Sequence, residues 1–309
     1  MTIDQERLLD VAGHFKKPDR LPDWKSYIST EAQTPHYNMV RAAFEFALNA
    51  SQNAGYTELD RRGDVIKWEI KGSGSSALTA FFKELRDRNF LPYFNLAASE
   101  VTAKIAPMLE GNLTTPELQG RRVPFADKRL KMFGEFARPE AFHAFEKIVK
   151  DARVAEGQYH FTFENTVVPL RECFPTSFGE DPLCKKALLA PILLTANARA
   201  NGIEVTTDVP LPADYRLPVT LSKLGILVLD RELHNKIEAN ILFDQDDPVL
   251  LALRSATLLA CEQLREVSGL APQELDAALW MAATPSQDKT ADRSTTSLQR
   301  PPNSYGMYI

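Results

Sequence analysis

The chain has 309 residues, enough for one or two domains, and its 44% hydrophobic and 25% charged content is that of an ordinary globular protein. With 36 Lys and Arg against 41 Asp and Glu, the net charge of −5 gives no general attraction to polyanions. That disfavours wide nucleic-acid or anionic-membrane binding.

The amphipathic start MTIDQERLLDV lacks the apolar core of a signal peptide, and the most apolar stretch, 187–198, is too short to span a bilayer. Cys173, Cys184 and Cys261 show no CxxC spacing and suit free thiols, so a soluble, cytoplasmic protein is expected. The histidines (His14, His36, His143, His160, His234) form no HxxxH or HxH pair. Neither a metal site nor a cofactor is expected from them.

In chain order, 37–50 places Met39, Ala43, Phe46 and Ala47 at helical spacing, whereas 64–71 alternates, with Ile66, Trp68 and Ile70 on one side of a short strand. The run Gly72-Ser73-Gly74-Ser75-Ser76 then introduces a helix with Leu78, Phe81, Phe82 and Leu85 on its apolar face. Helices are expected at 99–109, 125–137, 139–154 and 163–172. Residues 182–200 form a central helix that is apolar on most faces and must accommodate Pro191.

The last third carries clear capping signals. Pro218 suits a first turn and Gly225 the end of that helix; Asp230 caps a helix with Leu233, Ile237 and Ile241 on one face. Asp247-Pro248 opens a helix closing at Gly269, and Pro272 opens the last one, ending near Ala283. Residues 284–304 read as a mobile polar segment, and 305–309 as an apolar tail packing back on the body. The expected architecture is mainly α: a single helical domain over 1–283 with a small β element near 64–71.

Chemistry concentrates in Pro212-Ala213-Asp214-Tyr215-Arg216-Leu217-Pro218, where an acid, a phenol and a guanidinium precede a helix entrance. A carboxylate there suits cleavage of an N-glycosidic bond, offsetting cationic sugar character and activating water. On the residues alone, the reading of Asp214 as a helix cap paired with Arg216 outweighs the catalytic one. Ser75 and Ser76 open a helix whose N–H groups suit a phosphate, or merely cap a turn. Arg254 and Glu262, eight residues apart, are expected in separate structural ion pairs.

PADYRLPVTLSKLGIL resembles the F-A-D-Y-R-[VI]-P-Q-x-L-x-x-L-G-x-L block of the queuosine-salvage family, the queuosine 5′-phosphate N-glycosylases. Ala213, Asp214, Tyr215, Arg216, Pro218, Leu221, Leu224, Gly225 and Leu227 match; Pro212 and Val219 depart. Phe174-Pro175 with Ser177-Phe178 and Asp181 resemble the family's F-P-S-[FY]-x-D. Leu275-Asp276 with Leu279-Trp280 resemble L-D-Y-Y-L-W.

The resemblance implies a fold similar to helical DNA glycosylases and hydrolytic release of a 7-deazaguanine base from a small nucleotide or nucleoside, with Asp214 catalytic. Tyr215 and Arg216 would then bind substrate. Read from the residues themselves, Phe46, Trp68 and Trp280 could sandwich a planar base, although helix-face aromatics more often pack in a core; Asn49 could read a base edge, although a surface asparagine is the commoner case, and Ser75 and Ser76 could serve a phosphate. The family's K-R-A-Q is replaced by Leu188-Leu189-Ala190-Pro191, with Lys185 and Lys186 about one turn earlier. That departure leaves the 5′-phosphate requirement open. The alternatives are a DNA or RNA base glycosylase, which Leu224-Gly225-Ile226 would serve as a backbone-gripping hairpin, and an inactive nucleotide-binding relative.

Overall fold

The computed structural model describes residues 1–15, 35–59, 65–71, 74–90, 98–200, 203–214, 216–239, 241–244, 247–283 and 303–304. The described residues are mainly helical, built around two buried clusters. The larger one joins α2 (Pro35–Gln52), α3 (Gly74–Asp87), α4 (Ala98–Leu109), α5 (Ala126–Phe136), α6 (Pro139–Ala152), α7 (Val168–Cys173) and α8 (Lys185–Ala200). The smaller one joins α1 (Gln5–Ala12), α9 (Leu217–Lys223), α10 (Arg231–Glu238), α11 (Pro248–Ser268) and α12 (Pro272–Ala283). Within the larger cluster Phe44, Phe136, Phe145 and Phe174 pack at ring distances of 4.6 to 6.0 Å.

Helix α8 behaves as its composition requires, with Ala187, Leu188, Ile192, Leu193 and Leu194 all buried. Pro191 lies inside it without ending it. The capping signals also hold. Asp230 accepts from the Leu233 N–H at 2.9 Å, Asp247 from the Val249 N–H at 2.8 Å, and Gly225 and Gly269 take the positive φ that favours glycine after a helix.

Strand content departs from expectation. Of 64–71, Val65–Lys67 pairs antiparallel with Thr57–Leu59, but the largest sheet lies elsewhere. Arg153–Ala155, Gln158–Thr162 and Glu204–Asp208 form three strands, the last two parallel. Tyr159, Phe161, Val205 and Thr207 face the core in alternation, a period-2 pattern too short to stand out beside long helices.

The helix expected at 163–172 divides into a π-turn at Phe163–Val167, capped by Thr162 and Asn165, and then α7. Ile241 does not join Leu233 and Ile237, because α10 ends at Glu238 and leaves Ile241 exposed. Asn303–Ser304 pairs in parallel with Leu242–Phe243. The expectations for 284–302 and for the tail 305–309 lie outside the described residues. No helix among the described residues is long and apolar enough to cross a membrane.

Candidate active site

After the strand Glu204–Asp208 the chain buries Val209, Leu211 and Ala213, turns tightly with the Asp214 N–H donating to the Pro212 carbonyl at 2.8 Å, and delivers Asp214 to the entrance of α9. There Asp214 Oδ1 accepts the backbone N–H groups of Arg216 at 2.8 Å and Leu217 at 3.0 Å. Both bonds end on the same oxygen; neither uses Oδ2. The carboxylate is thus held by two donors while keeping an edge for other work.

Asp214 borders a cavity of about 240 Å³ at the seam between the two buried clusters. Helix α8 supplies its aliphatic wall with Leu189, Ile192, Leu193 and Ala196, and brings Lys185 to one end. Opposite, α12 presents Gln273, Asp276, Ala277 and Trp280. Their spacing of three, four and seven residues from Gln273 puts all four on one helical face. Asn53, Tyr56 and Ser75 complete the lining with Pro212 and Asp214. The Tyr56 hydroxyl donates to Asn53 Oδ1 at 2.7 Å. Its ring lies where a Cβ on Gly74 would stand, 2.2 Å from the ring's Cγ, so α3 must begin with glycine there.

The electrostatics are those of a shielded acid pair beside a buried amine. Burial and the charge of Asp214 raise the carboxyl of Asp276 from the ordinary range to about 7. Burial lowers the amine of Lys185, while the charge of Asp214 works the other way. Lys185 Nζ donates to the Asn53 carbonyl at 3.0 Å, and its backbone N–H donates to Asp181 Oδ2 at 2.9 Å. Lys186 is carried to the other side of α8, buried towards Met132 Sδ at 4.0 Å, so only Lys185 of the two lines the cavity.

Of the residues expected to bind substrate, Ser75 lines the cavity, and Arg216 stands beside it with its guanidinium 4.0 Å from the ring centre of Trp280, which does line it. Phe46, Asn49, Trp68 and Ser76 do not line it. Phe46 and Trp68 are core residues, Trp68 packing on Phe81 and Tyr56 with Arg129 above its ring. Aromatic identity could not separate them from Trp280, because core and cofactor faces use the same side chains. Asn49 is buried on α2, and Ser76 is exposed on α3. Tyr215 lies outside the described residues. Sequence reasoning passed over Gln273, Asn53 and Tyr56, and gave Asp276 no role although it stood in the L-D-Y-Y-L-W-like block. The available signal was polar Gln273 and Asp276 on the stripe of α12 that an ordinary amphipathic helix would keep apolar.

The hairpin at Leu224-Gly225-Ile226 is covered from the protein's own side. Arg7 Nε donates to the Leu224 carbonyl at 2.8 Å, the Arg7 side chain lies against Gly225, and Thr2–Ile3 pairs with Leu227–Val228. Among the described residues no group of three or more His, Cys, Asp and Glu side chains could hold a metal ion.

The segment that carries Asp214, Gln273, Asp276 and Trp280 is also the segment that a family model matches. Residues 200–297 match the model of the queuosine salvage protein family. The match spans about a third of the chain and supports the resemblance drawn from the Asp-Tyr-Arg block. Lys185, Asn53, Tyr56 and Ser75 lie upstream of the family match, so the cavity is assembled from residues inside it and outside it. No curated protein matches the chain.

Proposed function

We propose that this chain hydrolyses the N-glycosidic bond of a queuosine-type, 7-deazaguanine nucleotide or nucleoside and releases the free base. The observation that carries this reading is the position of Asp214: at the wall of a small cavity that has one aliphatic side, fixed through one oxygen, within the segment that matches queuosine salvage proteins. As the bond from C1′ to the base nitrogen breaks, positive charge builds on the sugar, and a fixed carboxylate in a low-dielectric wall offsets it without reorganising. Water adds its hydroxyl to C1′ and gives its proton to the Asp214 carboxylate; Asp214 then returns that proton to solvent as the departing nitrogen takes one from solvent, so that overall one water is split between sugar and base.

The covered hairpin at Leu224-Gly225-Ile226 supports a small-molecule substrate over an intact nucleic acid, since Arg7 and the Thr2–Ile3 strand occupy the place where a nucleic-acid backbone would be gripped. The test is incubation of the protein with queuosine, its 5′-monophosphate and guanosine analogues, with chromatography for free base. Release of the deazaguanine base is expected; no release from any of them would overturn the reading.

A further inference from the structure

Two carboxyl groups, Asp214 and Asp276, line the same cavity, and their surroundings treat them unequally. Asp214 Oδ1 receives two backbone N–H donors at the entrance of α9, which favours its ionised form. The Asp276 carboxyl makes no hydrogen bond among the described residues, yet neither of its oxygens is one of the sealed, unpartnered atoms. Its oxygens therefore keep accessible surface, and Asp276 is a partly buried residue that lines the cavity. Without donors, and beside the charge of Asp214, such a carboxyl holds its proton; it is raised to about 7. The other titratable groups facing the cavity are Lys185 from α8 and Tyr56, while Cys261 on α11 feels the charge of Asp276.

Resting on the hydrolytic reading of this cavity, we propose that Asp276 is a second catalytic residue, the general acid that protonates the departing base nitrogen. A 7-deazaguanine ring carries carbon at position 7, so it cannot be activated by protonation there as a purine can. Without a proton, its nitrogen would have to leave as an anion. As the bond to C1′ breaks, the electron pair passes to that nitrogen, which takes the Asp276 proton; the Asp276 carboxylate then recovers a proton from solvent. The solvent proton that the base acquires thus passes through Asp276, and Asp214 keeps its work at the sugar and the water. An ionised carboxyl paired with a protonated one is the division of labour by which glycosidic bonds are commonly split.

The experiment follows single-turnover base release from queuosine and its 5′-monophosphate by the full-length protein, from pH 6 to pH 9, in wild type and Asp276→Asn. Thermal melts check that the variant folds. A general acid works while protonated, so the wild-type rate is expected to fall about 10²-fold between pH 7 and pH 9. Asp276→Asn should run about 10²-fold slower than wild type at pH 6 and show no alkaline fall, so that the two converge near pH 9. A purely structural role would leave the same deficit at every pH, and an alkaline fall owed to Lys185 would persist in the variant; either result overturns the proposal. A wild-type rate that stays flat from pH 6 to pH 9 also overturns it, whether or not the variant folds. No release at any pH removes the hydrolytic reading and this inference with it; release without these pH dependences removes this inference alone.

Discussion

Arg254 grips Asp181 through both terminal nitrogens, Nη1 to Oδ1 at 3.0 Å and Nη2 to Oδ2 at 2.7 Å, with side chains only 5% and 2% exposed. Asp181 also accepts the backbone N–H groups of Leu183 and Lys185 at the start of α8, so this pair ties α11 to the helix that carries Lys185 into the cavity. Burial raises the Asp181 carboxyl, but the hydrogen bonds and charge of Arg254, with the two backbone donors, outweigh it and hold the group below the ordinary carboxylate range.

Arg254→Leu removes one member of this pair and leaves a carboxylate buried without its counter-charge, a change that costs about 3–5 kcal/mol. The wild-type contribution of Asp181 is present above its unfolded value of 3.8 and is lost as pH falls through the lower folded value. In the variant the carboxyl is expected to rise instead, so its deficit should shrink as acid neutralises the orphaned group. Denaturant melts at pH 8 and pH 5 check this; an equal deficit at both pH values would count against it.

Asp276 gives the opposite sign. Burial and Asp214 raise its folded value from 3.8 to about 7. The folded state therefore favours the protonated form, and the group's contribution is full below about 3.8 and lost as pH rises through about 7. Asp276→Asn cannot ionise. Its melting temperature should gain on wild type between about pH 4 and pH 7 and hold that gain above, at the expense of base release. A melt difference that does not change with pH would show that Asp276 carries no such penalty.

The Arg216 guanidinium over Trp280 predicts an optical signal, since Trp280 also lines the cavity. Base binding should change the tryptophan emission of wild type, and Trp280→Phe should lose that change while Trp68, packed in the core, keeps its background. Arg216→Gln removes a cation–π contact worth about 0.5–2 kcal/mol and should loosen the ring and weaken base affinity several-fold. Unaltered affinity would place Arg216 outside recognition.

Much of the fold was legible where one residue decides an event. Asp230, Asp247 and Pro218 announce helix starts because backbone donors at a helix entrance need an acceptor and tolerate proline, and Gly269 announces an end because glycine takes a positive φ freely. The sheet joining Gln158–Thr162 to Glu204–Asp208 was not legible: parallel pairing joins residues about forty-six apart, and neither five-residue segment identifies its partner. The site divides in the same way. Asp214 is visible in a local block, whereas Lys185, Asn53 and Gln273 become neighbours only when α8 and α12 close on one cavity. Arg254 was expected in a structural ion pair and forms one, with a partner no local pattern could name. Glu262 pairs separately with Arg265 at 3.0 Å.

Asp214→Asn carries the central test, because the geometry gives this residue a structural duty as well as a chemical one. Its Oδ1 accepts two backbone N–H bonds, and an amide oxygen can accept both, so the loss in stability should stay near 1 kcal/mol. The amide cannot offset positive charge on the sugar or take a proton from water, so single-turnover base release should fall about 10²-fold or more. A second readout follows from the electrostatics. With the charge of Asp214 gone, the Asp276 carboxyl keeps its burial but loses the second cause of its elevation, and its titration, followed by carboxyl NMR, should move down from about 7. If Asp214 only braced the helix entrance, the variant would melt lower and turn over near the wild-type rate per folded molecule. A normal melt with lost turnover and a shifted Asp276 titration assigns the chemistry to Asp214; near-normal turnover removes it.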